Sequence, residues 1–295
     1  MPTFLTRREC LGAAGLLGAT RAFAAGPAFR GPIGVQLYTV RDALKTAPEE
    51  TIHAVAALGY QQVEATLNSD FASLLPLLKK NNLDVVSCHF DTPLITGDWG
   101  ARKQAPAGTW SAAVEEAHAA GIRYMVLPYL RPAERGGPDV YRRLADQMNH
   151  AAPLCQKSGM TLAYHNHAFE FQPVEGQRPF DILMERTDPK LVKLELDVFW
   201  VSTAGQDPVA LLKQYPGRVA LLHLKDKAQG APVLFSEEAV GHDGYKEVGS
   251  GSLDFAAILK AAKDAGVRHY FVEQDYCPGN PIDSLRKSYQ YLRSS

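Results

Sequence analysis

Along most of the chain an amphipathic stretch with helical spacing is followed by a glycine or asparagine and then by a short apolar, β-branched run. The joint recurs at Leu58-Gly59-Tyr60, Asn81-Asn82-Leu83, Ala120-Gly121-Ile122, Ser158-Gly159-Met160, Pro216-Gly217-Arg218 and Ala265-Gly266-Val267. Glycine takes the left-handed conformation beyond a helix end at little cost, so each joint predicts a helix handing over to a strand. Strands are expected at about Ile33–Tyr38, Gln61–Glu64, Asp84–His89, Arg123–Pro128, Thr161–Asn166, Val192–Asp197, Val219–Lys225 and His269–Gln274. Helices are expected at about Glu49–Leu58, Phe71–Lys80, Trp110–Ala120, Val140–Lys157, Phe180–Arg186, Pro208–Gln214, Leu253–Ala265 and Ile282–Leu292. Eight strands alternating with eight helices is the count of an α/β (β/α)8 TIM barrel, a single domain of about 250 residues that fits within this chain of 295. A doubly wound open sheet would carry a G-x-G-x-x-G turn after its first strand, whereas Gly31-Pro32-Ile33-Gly34 precedes that strand here.

One connection breaks the short-loop pattern. From Lys227 to Ser252 the chain runs through Gly230, Pro232, Gly241, Gly244, Gly249 and Gly251 with only a brief apolar patch at 233–235. Loops of this length in a compact domain are usually functional or disordered, and this one is expected to overhang the active face as a lid. Gly249 and Gly251 are read as places of sharp turning or close approach, and Asp254 as the cap of the next helix.

The first residues differ. Thr6-Arg7-Arg8-Glu9-Cys10-Leu11 leads into a weakly apolar run from Gly12 to Ala19 and then into Ala22-Phe23-Ala24, an A-x-A-like cleavage site. Paired arginines before a short Gly/Ala-rich segment resemble a twin-arginine export signal, which implies a signal over 1–24, the barrel over 25–295, and a periplasmic or secreted location. That pathway carries folded proteins, so a metal would be inserted before export. No later run approaches the ~18 apolar residues of a membrane span. Removing 1–24 takes away three arginines and one glutamate and leaves 28 basic against 31 acidic side chains. That balance argues against nucleic acid or anionic membrane as the main partner. Cys88, Cys155 and Cys277 remain, widely spaced and without C-x-x-C spacing, so no disulfide framework is indicated. Cys88, beside His89 at a strand end, is a minor thiol candidate.

Four expected strands stop at residues of metal-ligand type: His165-Asn166-His167, Glu195-Leu196-Asp197, His223-Leu224-Lys225-Asp226 and Glu273-Gln274-Asp275. Parallel barrel strands end on one face, and alternate residues point inward. His165 therefore shares a face with His167, Glu195 with Asp197, His223 with Lys225, and Glu273 with Asp275. One ion cannot take all eight. A mixed nitrogen and oxygen set suits one divalent metal of the Mn, Co, Fe, Zn or Mg type and disfavours thiolate-selected copper.

The chain resembles the xylose-isomerase-like TIM-barrel superfamily of sugar isomerases, epimerases and inosose dehydratases. The resemblance is carried by Gly34-Val35-Gln36-Leu37-Tyr38, Gly59-Tyr60-Gln61-Gln62-Val63-Glu64, Tyr164-His165-Asn166-His167-Ala168-Phe169-Glu170-Phe171, Glu195-Leu196-Asp197, His223-Leu224-Lys225-Asp226, Val248-Gly249-Ser250-Gly251-Ser252-Leu253-Asp254-Phe255 and Val272-Glu273. It implies metal ligands at His165, Asp197, His223 and Glu273. Ketose epimerases of the superfamily carry a glutamate at the strand-five position and pair it with the strand-eight glutamate as acid and base. Histidine at 165 departs from that pattern and is similar to the inosose dehydratase branch.

The chemistry implied is abstraction of the proton α to the ketone of a keto-sugar, 3-keto-glycoside or inosose, giving an enediolate that a divalent cation stabilises. Glu273, His167, Glu64 and Glu170 are the candidate bases, and Lys225 or a histidine would protonate a group leaving the β-carbon. Expulsion makes a lyase and reprotonation an isomerase or epimerase; elimination or isomerisation is favoured over epimerisation. Gln36, Tyr38, His89 and Glu170 are read as substrate contacts. Trp200, in a strand-to-loop segment beyond Asp197, either faces a sugar ring or packs in the core. A metal-dependent hydrolase and a noncatalytic sugar-binding barrel are the alternatives, and a homo-oligomer is left open. An abasic-DNA nuclease is opposed by the charge balance and the lack of a basic stripe.

Overall fold

The computed structural model describes residues 29–68, 70–100 and 108–294. The expected signal segment, 1–24, lies outside the described residues. Seven strands, β1 (Gly34–Gln36), β2 (Gln62–Thr66), β3 (Asp84–His89), β4 (Tyr124–Leu127), β5 (Thr161–His165), β6 (Val192–Asp197) and β7 (Val219–Leu224), are followed by a small antiparallel ladder of β8 (Asp226–Lys227) with β9 (Tyr245–Lys246), and then by β10 (His269–Val272). Strands β1–β7 and β10 close a parallel barrel in the order β1-β10-β7-β6-β5-β4-β3-β2.

All six predicted joints take the left-handed conformation, with φ of 101° at Gly59, 55° at Asn82, 80° at Gly121, 73° at Gly159, 72° at Gly217 and 86° at Gly266. They follow helices Pro48–Ala57, Phe71–Lys80, Trp110–Ala119, Pro138–Lys157, Pro208–Gln214 and Phe255–Ala265, and helices Pro179–Arg186 and Pro281–Ser294 complete the eight. Pro48, Pro138, Pro179 and Pro208 open their helices where the missing N–H has no intrahelical partner to lose. The main apolar core lies between these helices and the outer face of the barrel, with Val63, Leu162, Leu194 and Leu222 among its members. A smaller cluster of Val86, Tyr124, Val126, Ala163, Leu221 and Phe271 fills the barrel interior.

Two segments depart from the expected pattern. β1 stops at Gln36, whose side-chain Oε1 accepts the N–H of Tyr38 at 2.9 Å and starts a 3-10 turn over Leu37–Val40, followed by helix Arg41–Thr46. The apolar run after Asp197 is helix Val198–Thr203, because Asp197 Oδ1 caps it by accepting the N–H groups of Phe199 at 2.8 Å and Trp200 at 3.0 Å.

The long connection is pinned at its root. The buried Asp226 carboxylate accepts backbone N–H bonds from Lys227, Gly249, Gly251, Ser252 and Leu253 at 2.8–3.1 Å. Gly249 has φ 86°, and a Cβ at Gly251 would collide with the Lys227 carbonyl and the Asp226 carboxylate. Asp254 Oδ1 accepts from Ala257 N at 3.0 Å and caps the next helix. Beyond this root the chain crosses the C-terminal face. Leu234 N donates to Thr203 O at 2.9 Å, Arg135 meets Glu237 at 3.2 Å, and the His242 ring stacks on Tyr276 at 3.6 Å.

Candidate active site and metal centre

Pairing across β6 and β7 puts Asp197 level with His223, and pairing across β5 and β6 puts His165 level with Glu195. The donor atoms of His165, Asp197, His223 and Glu273 all lie within 4.8 Å of one another, and all four residues are buried. Each is turned toward that common point by a partner on its other side. His165 Nδ1 bonds the Pro128 carbonyl at 3.0 Å, which makes Nδ1 the protonated nitrogen and leaves the Nε2 lone pair 3.4 Å from Asp197 Oδ2. The helix cap occupies Asp197 Oδ1 and leaves Oδ2. His223 Nε2 bonds Glu64 Oε1 at 2.8 Å, so Nδ1 faces Glu273 Oε2 at 3.0 Å and Asp197 Oδ2 at 3.8 Å. His165 Nε2 and Asp197 Oδ2 are buried polar atoms with no hydrogen-bond partner among the described residues. A buried imidazole lone pair facing a carboxylate oxygen at 3.4 Å is costly unless a cation is shared, and two imidazoles with two carboxylates suit a divalent one.

Beneath this set lies a ring of alternating acids and imidazoles. His89 Nε2 meets Glu64 Oε1 at 2.8 Å and Glu195 Oε2 at 3.1 Å, and His223 Nε2 lies 3.4 Å from Glu195 Oε2. Gln36 Nε2 and Ser87 Oγ also donate to Glu64, at 2.8 and 2.6 Å. Burial disfavours the charged Glu64, yet His89 and His223 hold its carboxyl well below the usual carboxylate range. Burial likewise opposes charge on His89, but Glu64 and Glu195 push it up to about 9. For His223, burial is outweighed by Glu195, Glu273 and Glu64, which raise it well above the ordinary histidine value.

Lys225 Nζ sits 2.7 Å from Glu273 Oε2, 3.3 Å from Asp197 Oδ2 and 2.6 Å from Asp275 Oδ2. Burial opposes its charge, but these three carboxylates hold it as an ammonium well above the usual lysine range. The same contact with Lys225, with His223 beside it, keeps Glu273 well below its ordinary value despite burial. His167 lies in the opposite regime. Burial, with His165 and Lys225 nearby, depresses it well below the ordinary value, so it is neutral, and its Nδ1 has no partner among the described residues.

The structure thus gathers His165, Asp197, His223, Glu273, Lys225, Glu64, His89 and Gln36 around the inner end of the barrel, with His167 beside His165 at 4.8 Å between ring centres. Two expectations, those for Glu64 and Glu170, need correction. Glu64 is an anion already accepting from four side chains, a poor base and a good anchor. Glu170 is fully buried; its carboxylate takes the Tyr164 hydroxyl at 2.7 Å and the His167 N–H at 2.9 Å, on the helix-facing side of β5, and so it props the loop instead of touching a substrate. Of the two readings of Trp200 the structure takes core packing: it stands in a helix and not in a strand-to-loop segment, is 2 % exposed, and has its ring 5.2 Å from that of His167. Tyr38 is 46 % exposed at the rim, with its N–H on Gln36 Oε1, and stays available as a substrate contact. Cys88 is fully buried and burial pushes its thiol well up, so it is inert. Glu195 and Asp275 are among the eight ligand-type residues of the sequence but receive no role of their own there, and Ser87 is not singled out, although it sits two residues before His89 on β3.

A family model described as xylose isomerase-like TIM barrel matches residues 52–295. The chain belongs to this family. It is 27 % identical over 269 residues to an inosose dehydratase of Geobacillus kaustophilus, covering 83 % of this chain and 86 % of that protein. To an inosose dehydratase of Geobacillus thermodenitrificans it is 31 % identical over 162 residues, and there the alignment spans about half of each, 52 % and 53 %. Among solved structures, a sugar phosphate isomerase/epimerase from Parabacteroides distasonis superposes with a TM-score of 0.72 at 23 % identity, over 94 % of this chain and 96 % of that one. An IolI protein with a bound zinc atom superposes with a TM-score of 0.66 at 14 % identity, over 88 % and 96 %. At these identities the two structures speak for the fold. Among the described residues no helix is long and apolar enough to cross a membrane.

Proposed function

We propose that this protein is a divalent-metal-dependent carbohydrate enzyme that abstracts the proton α to a ketone, in a keto-sugar, 3-keto-glycoside or inosose, and proceeds to elimination or isomerisation. The observation that carries this reading is the buried quartet His165, Asp197, His223 and Glu273 with the Lys225 ammonium against two of its carboxylates. The quartet would hold the cation, which supplies Lewis-acid polarisation of the ketone and stabilises the negative charge of the enediolate. The relatives called inosose dehydratases support the substrate class, and the histidine at 165 in place of a glutamate supports a route other than two-carboxylate epimerisation.

The chain's own groups divide the remaining work. His167 is neutral and free at Nδ1, so it is available to accept the proton. Glu64 is excluded from that task because its oxygens are filled; it orients His223 and His89 instead. Lys225 stays protonated, so it steadies developing negative charge and can deliver a proton to a departing oxygen. Export through a twin-arginine signal remains part of the proposal, supported by Arg7-Arg8 and Ala22-Phe23-Ala24; a Lys-Lys replacement at 7 and 8 should trap the full-length chain in the cytoplasm.

The deciding experiment incubates the Mn-loaded protein with inososes, keto-sugars and 3-keto-glycosides in deuterated water and follows products by NMR. Deuterium at the α-carbon is expected, and loss of the β-substituent separates a lyase from an isomerase. Bond cleavage by water with no α-exchange would replace this reading by a hydrolase, and no reaction across the panel would end it.

A further inference from the structure

We propose a second sugar-binding subsite between the segments that follow β1 and β2, which makes the substrate a neutral disaccharide or glycoside. This inference rests on the carbohydrate reading above and narrows it. A cavity of about 580 Å³ lies there, with Tyr38, Arg41, Lys45, Asn68, Asp70 and Ser73 in its lining. That volume falls within the roughly 300–1,000 Å³ of small-molecule sites.

Its inner wall adjoins the catalytic centre. Tyr38 N donates to Gln36 Oε1 at 2.9 Å, and Gln36 Nε2 donates to Glu64 at 2.8 Å. Thr66, also in the lining, follows Glu64 by two residues on β2 and so shares its inward face one step nearer the rim. A monosaccharide held at the quartet would leave the cavity to water; a second ring joined to the first would reach it.

The lining selects the chemistry of that ring. Tyr38 and Val233 are the exposed large hydrophobic side chains among the described residues, and the Arg41 guanidinium covers one face of the tyrosine ring at 4.0 Å. An aromatic platform beside hydroxyl and amide side chains suits the mixed C–H and O–H surface of a sugar. The cations of the lining are already engaged, Arg41 with the carbonyls of Tyr38 and Asp275, and Lys45 with Asp42 at 2.9 Å. Asp70 adds a carboxylate. A phosphorylated sugar would have to draw these cations out of their present contacts and past the Asp70 carboxylate, whereas an uncharged ring meets a surface that matches it as it stands.

Filling the cavity tests this. Ser73 is exposed on the first turn of helix Phe71–Lys80, so Ser73→Trp should fold, and Asn68→Ala removes an amide without adding bulk. With the Mn-loaded enzyme, Ser73→Trp should raise KM for a 3-keto-disaccharide about tenfold and leave KM for the matching 3-keto-monosaccharide within twofold; Asn68→Ala should act in the same sense more weakly. Equal effects on both substrates, or none on either, would overturn the subsite. Saturation-transfer NMR with cellobiose, maltose and trehalose supplies an arm independent of turnover. Wild type should show contact along both rings of at least one of them, and Ser73→Trp should lose contact with one ring. Binding without turnover would sink the functional reading and keep the subsite; contact with a single ring in wild type would sink the subsite whatever the turnover.

Discussion

Glu64 takes the Nε2 proton of His223 at 2.8 Å and thereby turns the opposite ring nitrogen toward Glu273 and Asp197. The carboxylate sits on β2 and the imidazole on β7, so the contact spans the barrel and fixes one histidine tautomer from 159 residues away in sequence. A carboxylate behind an imidazole raises its basicity and holds its orientation, and removing such a partner typically costs about 10–100-fold in metal affinity. Glu64→Gln should therefore weaken Mn binding by about that factor in calorimetric titration, while circular dichroism shows the barrel intact. Affinity equal to wild type would mean that the relay does not act on the ion.

The quartet can be separated from the fold by choosing the substitution with care. Asp197 divides its oxygens, one capping helix Val198–Thr203 and one facing the other three side chains. Asp197→Asn keeps a capping oxygen and removes the negative charge, whereas Asp197→Ala would also lose the cap, at about 1 kcal/mol. Metal analysis should find Asp197→Asn and His223→Ala empty, with turnover abolished and the melting temperature of Asp197→Asn near that of the apo wild type. Full occupancy in both would remove these residues from the ligand set.

How much of this was legible in the sequence depended on whether the signal was local. The joints were, because a left-handed residue between an amphipathic run and an apolar run is a local requirement, and the strand ends followed from them. Helix Val198–Thr203 was not: Val198-Phe199-Trp200-Val201 has no periodicity, and what stops β6 is a cap from a residue that looked like a ligand only. Glu170 was misread for a similar reason. It lies three residues past His167, but the 3-10 turn Phe169–Phe171 carries it behind the sheet, onto Tyr164. Glu195 was visible as a carboxylate two residues deeper than Asp197, yet its role depends on meeting His89 across the barrel, a distance that no spacing along the chain encodes.

Glu170 also gives a pH signature. Burial pushes its carboxyl up to about 8, from a reference value of 4.5 in the unfolded chain. The folded state therefore binds the proton more tightly, and its contribution to stability is complete below about 4.5, declines as pH rises toward 8, and is flat above that. Glu170→Gln keeps a group able to bond Tyr164 and His167 but cannot ionise. Urea unfolding at pH 5, 7 and 9 should show the variant gaining on wild type between the first two and further by the third. A difference that does not change with pH would mean that Glu170 titrates at its ordinary value.

The excursion between β8 and β9 lends itself to a clean deletion, because Lys227 and Tyr245 are direct partners in the ladder. Replacing 228–244 by Asn-Gly closes a two-residue hairpin of the favoured type I′ turn. The root survives: the Asp226 clamp lies outside the cut, and Tyr245 keeps its stacking on Phe199 at 4.9 Å. What disappears is the stretch that reaches Thr203, Arg135 and Tyr276, three points beyond the ends of β6, β4 and β10, together with the apolar cavity of about 260 Å³ beneath it. A cover tied at those points would keep water from an enediolate and hold the substrate for the proton transfers. Turnover of the shortened enzyme should fall on the order of 10²-fold, with a larger share of aborted or hydrolysed product, while Mn affinity stays within about twofold because the quartet is untouched. Undiminished turnover would show that the segment crosses the face without closing it, and a parallel loss of metal would place its role in the ligand set instead.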